Sequence, residues 1–399
     1  MKILLSIGAW NPAHGGPFFS VGNLAKALAA NDHIVSLLAA DYPHMSAEAP
    51  PEGVPLELVY GRLVPGIRQT VIPRASRKVD QIIVDSMPQV IHDNGLWLTL
   101  NHKMAQAAQR HSIPRMLSPR GTLDPWAFQY RNWKKRIAME LYQRKDLERV
   151  DCFHAASALE AGNIRKFGLR QPIAIIPNGV EVPGQPAHFR VAENISGDKE
   201  NALATSNLPK ERIALFMGRM HPVKNLPALI QAWAKVQPSG WRLKLVGSSE
   251  VGHREELEKL AEQLGVAKTV MFSGPVYGEE KTRLFRDAQL FCLVSHSENF
   301  GIAAAEGLAA GLPLIASKTI PWEAVVKERA GWWVDGSAEG LAEALAEATK
   351  RPPDDLEAMG LRGRQFAMSK FGWKAIVEKF ISVYGWMNGL CERPSCIEL

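Results

Sequence analysis

The chain has 399 residues, of which 46 % are hydrophobic and 22 % charged, with a formal net charge of +6. That length exceeds what one hydrophobic core usually organises and predicts two domains, and the composition excludes a disordered or fibrous protein. The positive balance fits an anionic ligand or an acidic membrane surface, and is too diffuse and too poor in interleaved aromatics for a nucleic-acid binder.

The opening "KILLSIGAW" reads as a first β-strand, because its short apolar run lacks the small-residue cleavage site of a secretory signal. A helix follows in "VGNLAKALAAN", where Val21, Leu24, Ala25 and Leu28 recur at helical spacing. "HIVSLLAAD", "PQVIHDNG", "IPRMLSPRG", "CFHAAS" and "IAIIPNGV" continue as strands as far as Val180. Residues 181 to about 210 lose the periodicity and gather Pro, Gly, Ser, Asn and charges, the composition of a linker. A second series then alternates the strands "IALFMGR", "WRLKLVG", "VMFSG" and "LFCLVS" with the helices "LPALIQAWAKV", "EELEKLAEQLG" and "EEKTRLFRDAQ". Such alternation predicts an α/β protein with two Rossmann-like parallel sheets, whose ligands bind at the carboxyl ends of the strands. The expected divisions are 1–185, 186–370, an amphipathic terminal helix at 371–388 and a weakly ordered tail at 389–399. The four cysteines have no metal-ligand spacing, so reduced thiols in a cytoplasmic protein are expected. No run of 18 apolar residues predicts a membrane span.

Chemistry concentrates in a few stretches. In "NPAHGGPFFS", Gly15 and Gly16 separate the first strand from the first helix, where a backbone without side chains can approach a ligand and the helix start offers N–H groups to an anion. His14 stands beside them. In "MGRMHPVKNL", Arg219 and Lys224 follow a strand end, a placement that suits a diphosphate. In "SENFGIAAAEGLAAGLPLIAS", Glu298 lies in a turn and Glu306 about 7 Å further along a helix that starts near Gly301. That separation resembles the carboxylate pair of an inverting glycosidase, but two groups on one strand–helix corner fit two contacts along one extended ligand better. Each stretch alone also reads as a plain turn, a solvated basic loop or ordinary surface glutamates. His92 ends a strand, where it is either a structural residue or a site residue. In "RNWKKRIAMELYQRKDLER", Trp133, Ile137 and Leu141 recur at helical spacing among seven cations (Arg131, Lys134, Lys135, Arg136, Arg144, Lys145, Arg149). Such a basic amphipathic helix either packs by its apolar side or rests on an anionic membrane.

Taken together, "ENFGIAAAEGLAAGLPLIAS", "GRMHPVKN", "IIPNGVE" and the glycine pair resemble, in order and spacing from about residue 1 to 385, the retaining GT-B glycosyltransferases of the family 4 type. The resemblance implies two domains facing a cleft, with the terminal helix crossing back to the first. It implies a sugar-nucleotide site in which Glu306 meets the ribose and Glu298 the transferred sugar. The backbone of Phe300, Gly301 and Ile302 would approach the diphosphate, with Arg219 and Lys224 neutralising it and Pro275 and Val276 edging the base. No cofactor or metal is implied; the nucleotide-diphosphate sugar, a UDP- or GDP-sugar, is a substrate. Many relatives place a histidine after the fifth strand where "LSPRGTLDPW" here has Arg120. That version resembles a subgroup associated with bacterial surface polysaccharide and lipopolysaccharide assembly. The catalytic set expected from the resemblance is therefore Glu298 with His92 or Arg120, and Tyr60 to Gly66 and Trp97 are expected near the acceptor. The implied function is a metal-independent hexosyltransferase acting on a glycan or lipid-linked glycan, cytoplasmic and at the inner membrane face. A glycoside phosphorylase on the same scaffold and a catalytically silent sugar-nucleotide-binding subunit remain alternatives.

Overall fold

The computed structural model describes residues 1–12, 15–42, 46–60, 62–64, 67–71, 75–125, 137–181, 211–250 and 252–399, with the backbone alone at 62–64, 67–71 and 75. His14, Gly61, Pro65, Gly66, Arg131, Trp133, Lys134, Lys135, Arg136 and nearly all of the expected linker lie outside the described residues. The chain divides into two compact units, Met1–Gly179 with Trp373–Leu399, and Val180–Gly372. The chain passes from one unit to the other after Gly179 and after Gly372, where the sequence reading set its divisions at 185 and 370.

In the first unit, nine strands precede Gly179 among the described residues: β1 Lys2–Ala9, β2 Ile34–Asp41, β3 Leu56–Tyr60, β4 Arg62–Val64, β5 Ile67–Val71, β6 Val90–Asn94, β7 Arg115–Ser118, β8 Cys152–Ala155 and β9 Ile173–Ile175. β4 and β5 form a separate antiparallel ladder. The others pair in parallel in the order β9-β8-β7-β6-β1-β2-β3. Every β1 residue after Lys2 is buried, as a strand covered on both faces requires. One face packs against Val21, Leu24 and Leu28 of the helix Gly16–Ala29 and against Ile376, Phe380, Val383 and Tyr384 of the terminal helix Trp373–Met387. The other face packs against Val79, Ile82, Ile83, Leu100 and Met104. The terminal helix thus belongs to the core of the first unit, as expected. Its Trp373 ring lies against Gly179, where a Cβ would come within 2.5 Å of the indole.

The tail corrects the sequence reading. A last strand, β16 Ile397–Glu398, adds antiparallel to β9, and the Ile175 amide donates to the Cys396 carbonyl at 2.8 Å. Ile397 is buried in the core of the first unit, so an apolar residue two places from the last one suffices to fix the segment.

The second unit holds β10 Arg212–Met217, β11 Trp241–Val246, β12 Val270–Ser273, β13 Leu290–Leu293, β14 Leu314–Ser317 and β15 Gly331–Val334, all parallel in the order β12-β11-β10-β13-β14-β15. Close approaches need glycine at particular points. A Cβ on Gly307, in the helix Ile302–Ala309, would fall 2.8 Å from the Phe291 ring of β13, and one on Gly247 would fall 2.0 Å from the Gly218 carbonyl oxygen. Among the described residues, no helix is long and apolar enough to cross a membrane, and no group of three or more His, Cys, Asp or Glu could hold a metal ion.

Candidate active site

In the second unit the strand order runs one way from β10 through β11 and the other way through β13. That makes β10/β13 the switch point, the place where an open α/β sheet binds its ligand. The loops leaving these two strands carry Arg219 and Lys224 on one side and Glu298 on the other. The His296 amide donates to the Val223 carbonyl at 2.8 Å, holding the loops together. Asn225, in the left-handed region at φ 56°, turns the first loop and ties to the Gly336 carbonyl at 2.8 Å. Lys224 pairs with Glu298, with side-chain exposures of only 18 % and 13 %. The same carboxylate oxygen, Oε1, accepts from Ser295 Oγ at 2.9 Å. Ser317 and Thr319 in turn donate to the Ser295 carbonyl at 2.7 and 2.6 Å. Glu298 Oε2 takes part in none of these bonds.

Gly301 caps the helix Ile302–Ala309 at φ 80° and, as a glycine, brings no capping side chain to that end. A Cβ there would meet Leu293 at 2.8 Å and the Trp322 indole nitrogen at 3.0 Å. The indole donates to the Phe300 carbonyl at 2.7 Å, so the turn shows an anion N–H groups rather than that carbonyl. One and a half turns on, Glu306 accepts from Lys281 at 2.6 Å. Lys281 lies on the helix Gly278–Asp287, which follows the turn of Pro275 and Val276 after β12. Pro275 and Arg219 are exposed. Burial, and after it the charge of Arg219, hold His221 below the ordinary imidazole range against the opposing pull of Glu250. The second unit thus gathers Arg219, Lys224, Pro275, Val276, Glu298, Phe300, Gly301, Ile302 and Glu306 at the carboxyl edge of one sheet.

In the first unit the corresponding switch lies at β1, between β2 and β6. Gly15, at φ 79°, begins the Gly16–Ala29 helix, and a Cβ on Gly15 or Gly16 would meet nothing within 4 Å, so space is open beside both. Tyr60, at the end of β3, is 74 % exposed, whereas Trp97 is buried.

His92 requires a correction. It is wholly buried, with Nδ1 2.6 Å from the Tyr384 hydroxyl and Nε2 2.7 Å from Ser118 Oγ. Ser118 Oγ is also 2.6 Å from His154 Nδ1, and His154 Nε2 donates to the Ile176 carbonyl at 2.8 Å. A carbonyl only accepts, which fixes every proton in the row: His154 donates to Ile176, Ser118 to His154, His92 to Ser118 and Tyr384 to His92. Both imidazoles are neutral. Burial presses His92 well below its ordinary range and His154 down to about 3. With no exposed nitrogen, His92 cannot reach a substrate.

Arg120 takes the position at the edge instead. Its Nε and Nη2 donate to Asn94 Oδ1 at 3.1 and 2.8 Å, and Nη1 donates to Asn178 Oδ1 at 2.9 Å. Burial lowers the guanidinium to about 10, so it is still a cation at neutral pH. Sequence reasoning missed Asn94, Lys281, Ser295, Thr319 and Trp322. Of these, Asn94 had a signal, since it shares a strand face with His92 and stands two residues nearer the edge.

Residues 15–179 match the glycosyl transferase 4-like domain, and residues 198–366 the glycosyl transferases group 1 domain. D-inositol 3-phosphate glycosyltransferase of Segniliparus rotundus is 32 % identical over 239 residues, 58 % of this chain and 51 % of that protein. The chain spans about half the length of the curated relatives it matches. Sucrose-phosphate synthase of Thermosynechococcus elongatus shares the fold with a TM-score of 0.75 at 22 % identity, over 98 % of this chain and 99 % of the other. HepE of Anabaena, crystallised with UDP and glucose, does so with a TM-score of 0.74 at 18 % identity, over 96 % and 99 %. With a 4-like domain in its first half and a group 1 domain in its second, each built on a parallel sheet, the chain belongs to the GT-B glycosyltransferases.

Proposed function

We propose that the chain is a retaining, metal-independent hexosyltransferase that moves a hexose from a UDP- or GDP-sugar to a hydroxyl of a glycan or lipid-linked glycan in bacterial surface polysaccharide assembly. The observation that carries this reading is the Lys224–Glu298–Ser295 cluster at the β10/β13 switch, with Glu306 further along the glycine-capped helix. Breaking a sugar–diphosphate bond builds negative charge on the phosphate and positive charge on the ring, and fixed charges aimed at both favour that state. Arg219, Lys224 and the helix start at Gly301 take the phosphate. Glu298 orients the sugar and balances the ring's positive charge, Glu306 accepts from the ribose hydroxyls, and Pro275 and Val276 edge the base. The acceptor hydroxyl attacks C1 from the face the diphosphate leaves, and the leaving phosphate oxygen takes its proton, so the anomeric configuration is kept. A UDP-sugar is favoured because HepE, which shares the fold, was crystallised with UDP and glucose. The "SPRG-x-L-x-PWA" stretch supports the polysaccharide assignment.

Peripheral contact with an anionic membrane is part of the proposal. Ile137 and Leu141 are 51 % and 72 % exposed, and Arg144, Lys145 and Arg149 beside them are exposed as well. Pelleting with vesicles containing anionic phospholipid should capture the chain at low salt and release it at high salt; no salt-sensitive pelleting refutes the contact. The donor site is tested by a thermal-shift and calorimetric screen of UDP, GDP, ADP, TDP and their sugar conjugates in EDTA. One nucleotide should raise the melting temperature, and Glu306→Ala should abolish the effect. No response from any nucleotide overturns the donor reading.

A further inference from the structure

Arg120 is a cation whose hydrogen-bond partners are both neutral. Its three bonds go to the amide oxygens of Asn94 and Asn178, which occupies three of the five N–H groups of a guanidinium and leaves one on each terminal nitrogen. Among the described residues no carboxylate pairs with it. Glu160, whose field does act on Arg120, spends Oε1 on the Gly121 amide and Oε2 on the Ala156 amide, each at 2.8 Å. The buried row beside Arg120 adds no charge of its own, for it runs through two neutral imidazoles, a serine and a phenol. The backbone is also unusual: Arg120 sits at φ 56° and Gly121 at φ 77°, a left-handed pair that a non-glycine residue adopts only at a cost the neighbouring structure must hold. The two amides hold the planar group from two sides of the sheet edge, Asn94 ending β6 and Asn178 following β9. A partly desolvated charge with no carboxylate bonded to it is expensive to keep, and a fork with two N–H groups to spare matches the oxygens of a phosphate or carboxylate.

We propose that Arg120 is an anion site for the acceptor, and that the acceptor therefore carries a phosphate or carboxylate. This rests on the glycosyltransferase reading above. The donor diphosphate is assigned to Arg219 and Lys224, which belong to the other unit; a further cation at the sheet edge of the first unit answers a further anion. Asn94 and Asn178 are positioning residues, which set the guanidinium plane without touching the anion.

The test uses the whole chain and inorganic phosphate as probe, titrated calorimetrically with the donor site filled by UDP. The wild type should bind phosphate, and Arg120→Gln should bind it at least tenfold more weakly while its UDP affinity stays within about twofold. Should Arg120→Gln fail to fold, Arg120→Lys serves with the same readout, because one ammonium cannot hold two amides and also present two coplanar N–H groups. Phosphate binding equally well to the variants, or not at all to the wild type, overturns the proposal. An equal loss of UDP affinity overturns it too, by moving Arg120 to the donor diphosphate. A loss in Arg120→Gln confined to UDP-glucuronate, with UDP-glucose unaffected, places the anion on the transferred sugar and overturns the acceptor assignment. A wild type that binds phosphate through Arg120 but no UDP separates the two failures: the donor reading falls and the anion site stands.

Discussion

Tyr384→Phe tests the buried row that joins the terminal helix to the first sheet. The Tyr384 hydroxyl lies 2.6 Å from His92 Nδ1, and Tyr384, His92, Ser118 and His154 are each no more than 1 % exposed. Removing one oxygen removes the one donor that, among the described residues, faces Nδ1. Reversing the row does not rescue it: if Ser118 turns its proton to His92, His154 Nδ1 is left without one, and the Ile176 carbonyl still demands the proton on His154 Nε2. One buried nitrogen is orphaned in every arrangement, which costs about 1–3 kcal/mol. In a unit of this size each kcal/mol lowers the midpoint by roughly 2–4 °C, so the melting temperature should fall by about 2–12 °C. Calorimetry and urea denaturation of the full chain at pH 7.5 measure it, and the transition of the first unit should move, since Tyr384 packs in the core of that unit. A change below about 0.5 kcal/mol would refute the reasoning, because it would mean that the phenol carries no bond whose loss leaves a buried group unpaired.

The same row predicts a pH dependence. Both histidines have folded-state values below the ordinary 6.5, so below pH 6.5 the unfolded chain binds protons that the folded chain refuses. Stability is complete above about pH 6.5 and falls below it, by about 1 kcal/mol per pH unit towards pH 3 for His154 and in the same direction for His92; His154→Asn should remove that histidine's share of the slope, and parallel urea profiles from pH 7.5 to 5 would refute it. Gly301→Ala places a side chain at φ 80° and within 2.8 Å of Leu293. It should destabilise the second unit by roughly 2–4 kcal/mol in urea unfolding, from the left-handed penalty and overpacking together; a loss under about 1 kcal/mol would show that the turn relaxes. Trp322→Phe deletes the donor to the Phe300 carbonyl and should cost about 1–3 kcal/mol while weakening UDP binding, read by the same titration. Unchanged nucleotide affinity would remove Trp322 from any part in positioning the turn.

The sheets were legible in the sequence because burial on both faces writes a strand as an unbroken apolar run, and alternation with helical spacing leaves few topologies. β3, β4 and β5 were not read, for they lie in a stretch punctuated by Gly61, Pro65 and Gly66, where periodicity has too few residues to show; the four-residue β14 and β15 were not read either. The polar residues divide along a different line. Glu298, Glu306, Arg219 and Lys224 lie in loops or on a helix past the strand ends, so a local motif was enough to place them at the edge. His92 and Arg120 depended on where a strand stops. In β6 the edge residue is Asn94, two places and about 7 Å beyond His92, and that distance separates a solvent-facing position from one closed over by the neighbouring strands and Tyr384. No local pattern contains it, since the residue that buries His92 stands 292 positions away in the chain. The sequence offers His92 and Arg120 as interchangeable candidates; packing separates them, because a neutral imidazole is satisfied inside the core by a hydroxyl on each side, whereas the Arg120 guanidinium keeps its charge and, unlike the buried Arg115 with its Asp93, has no carboxylate bonded to it among the described residues.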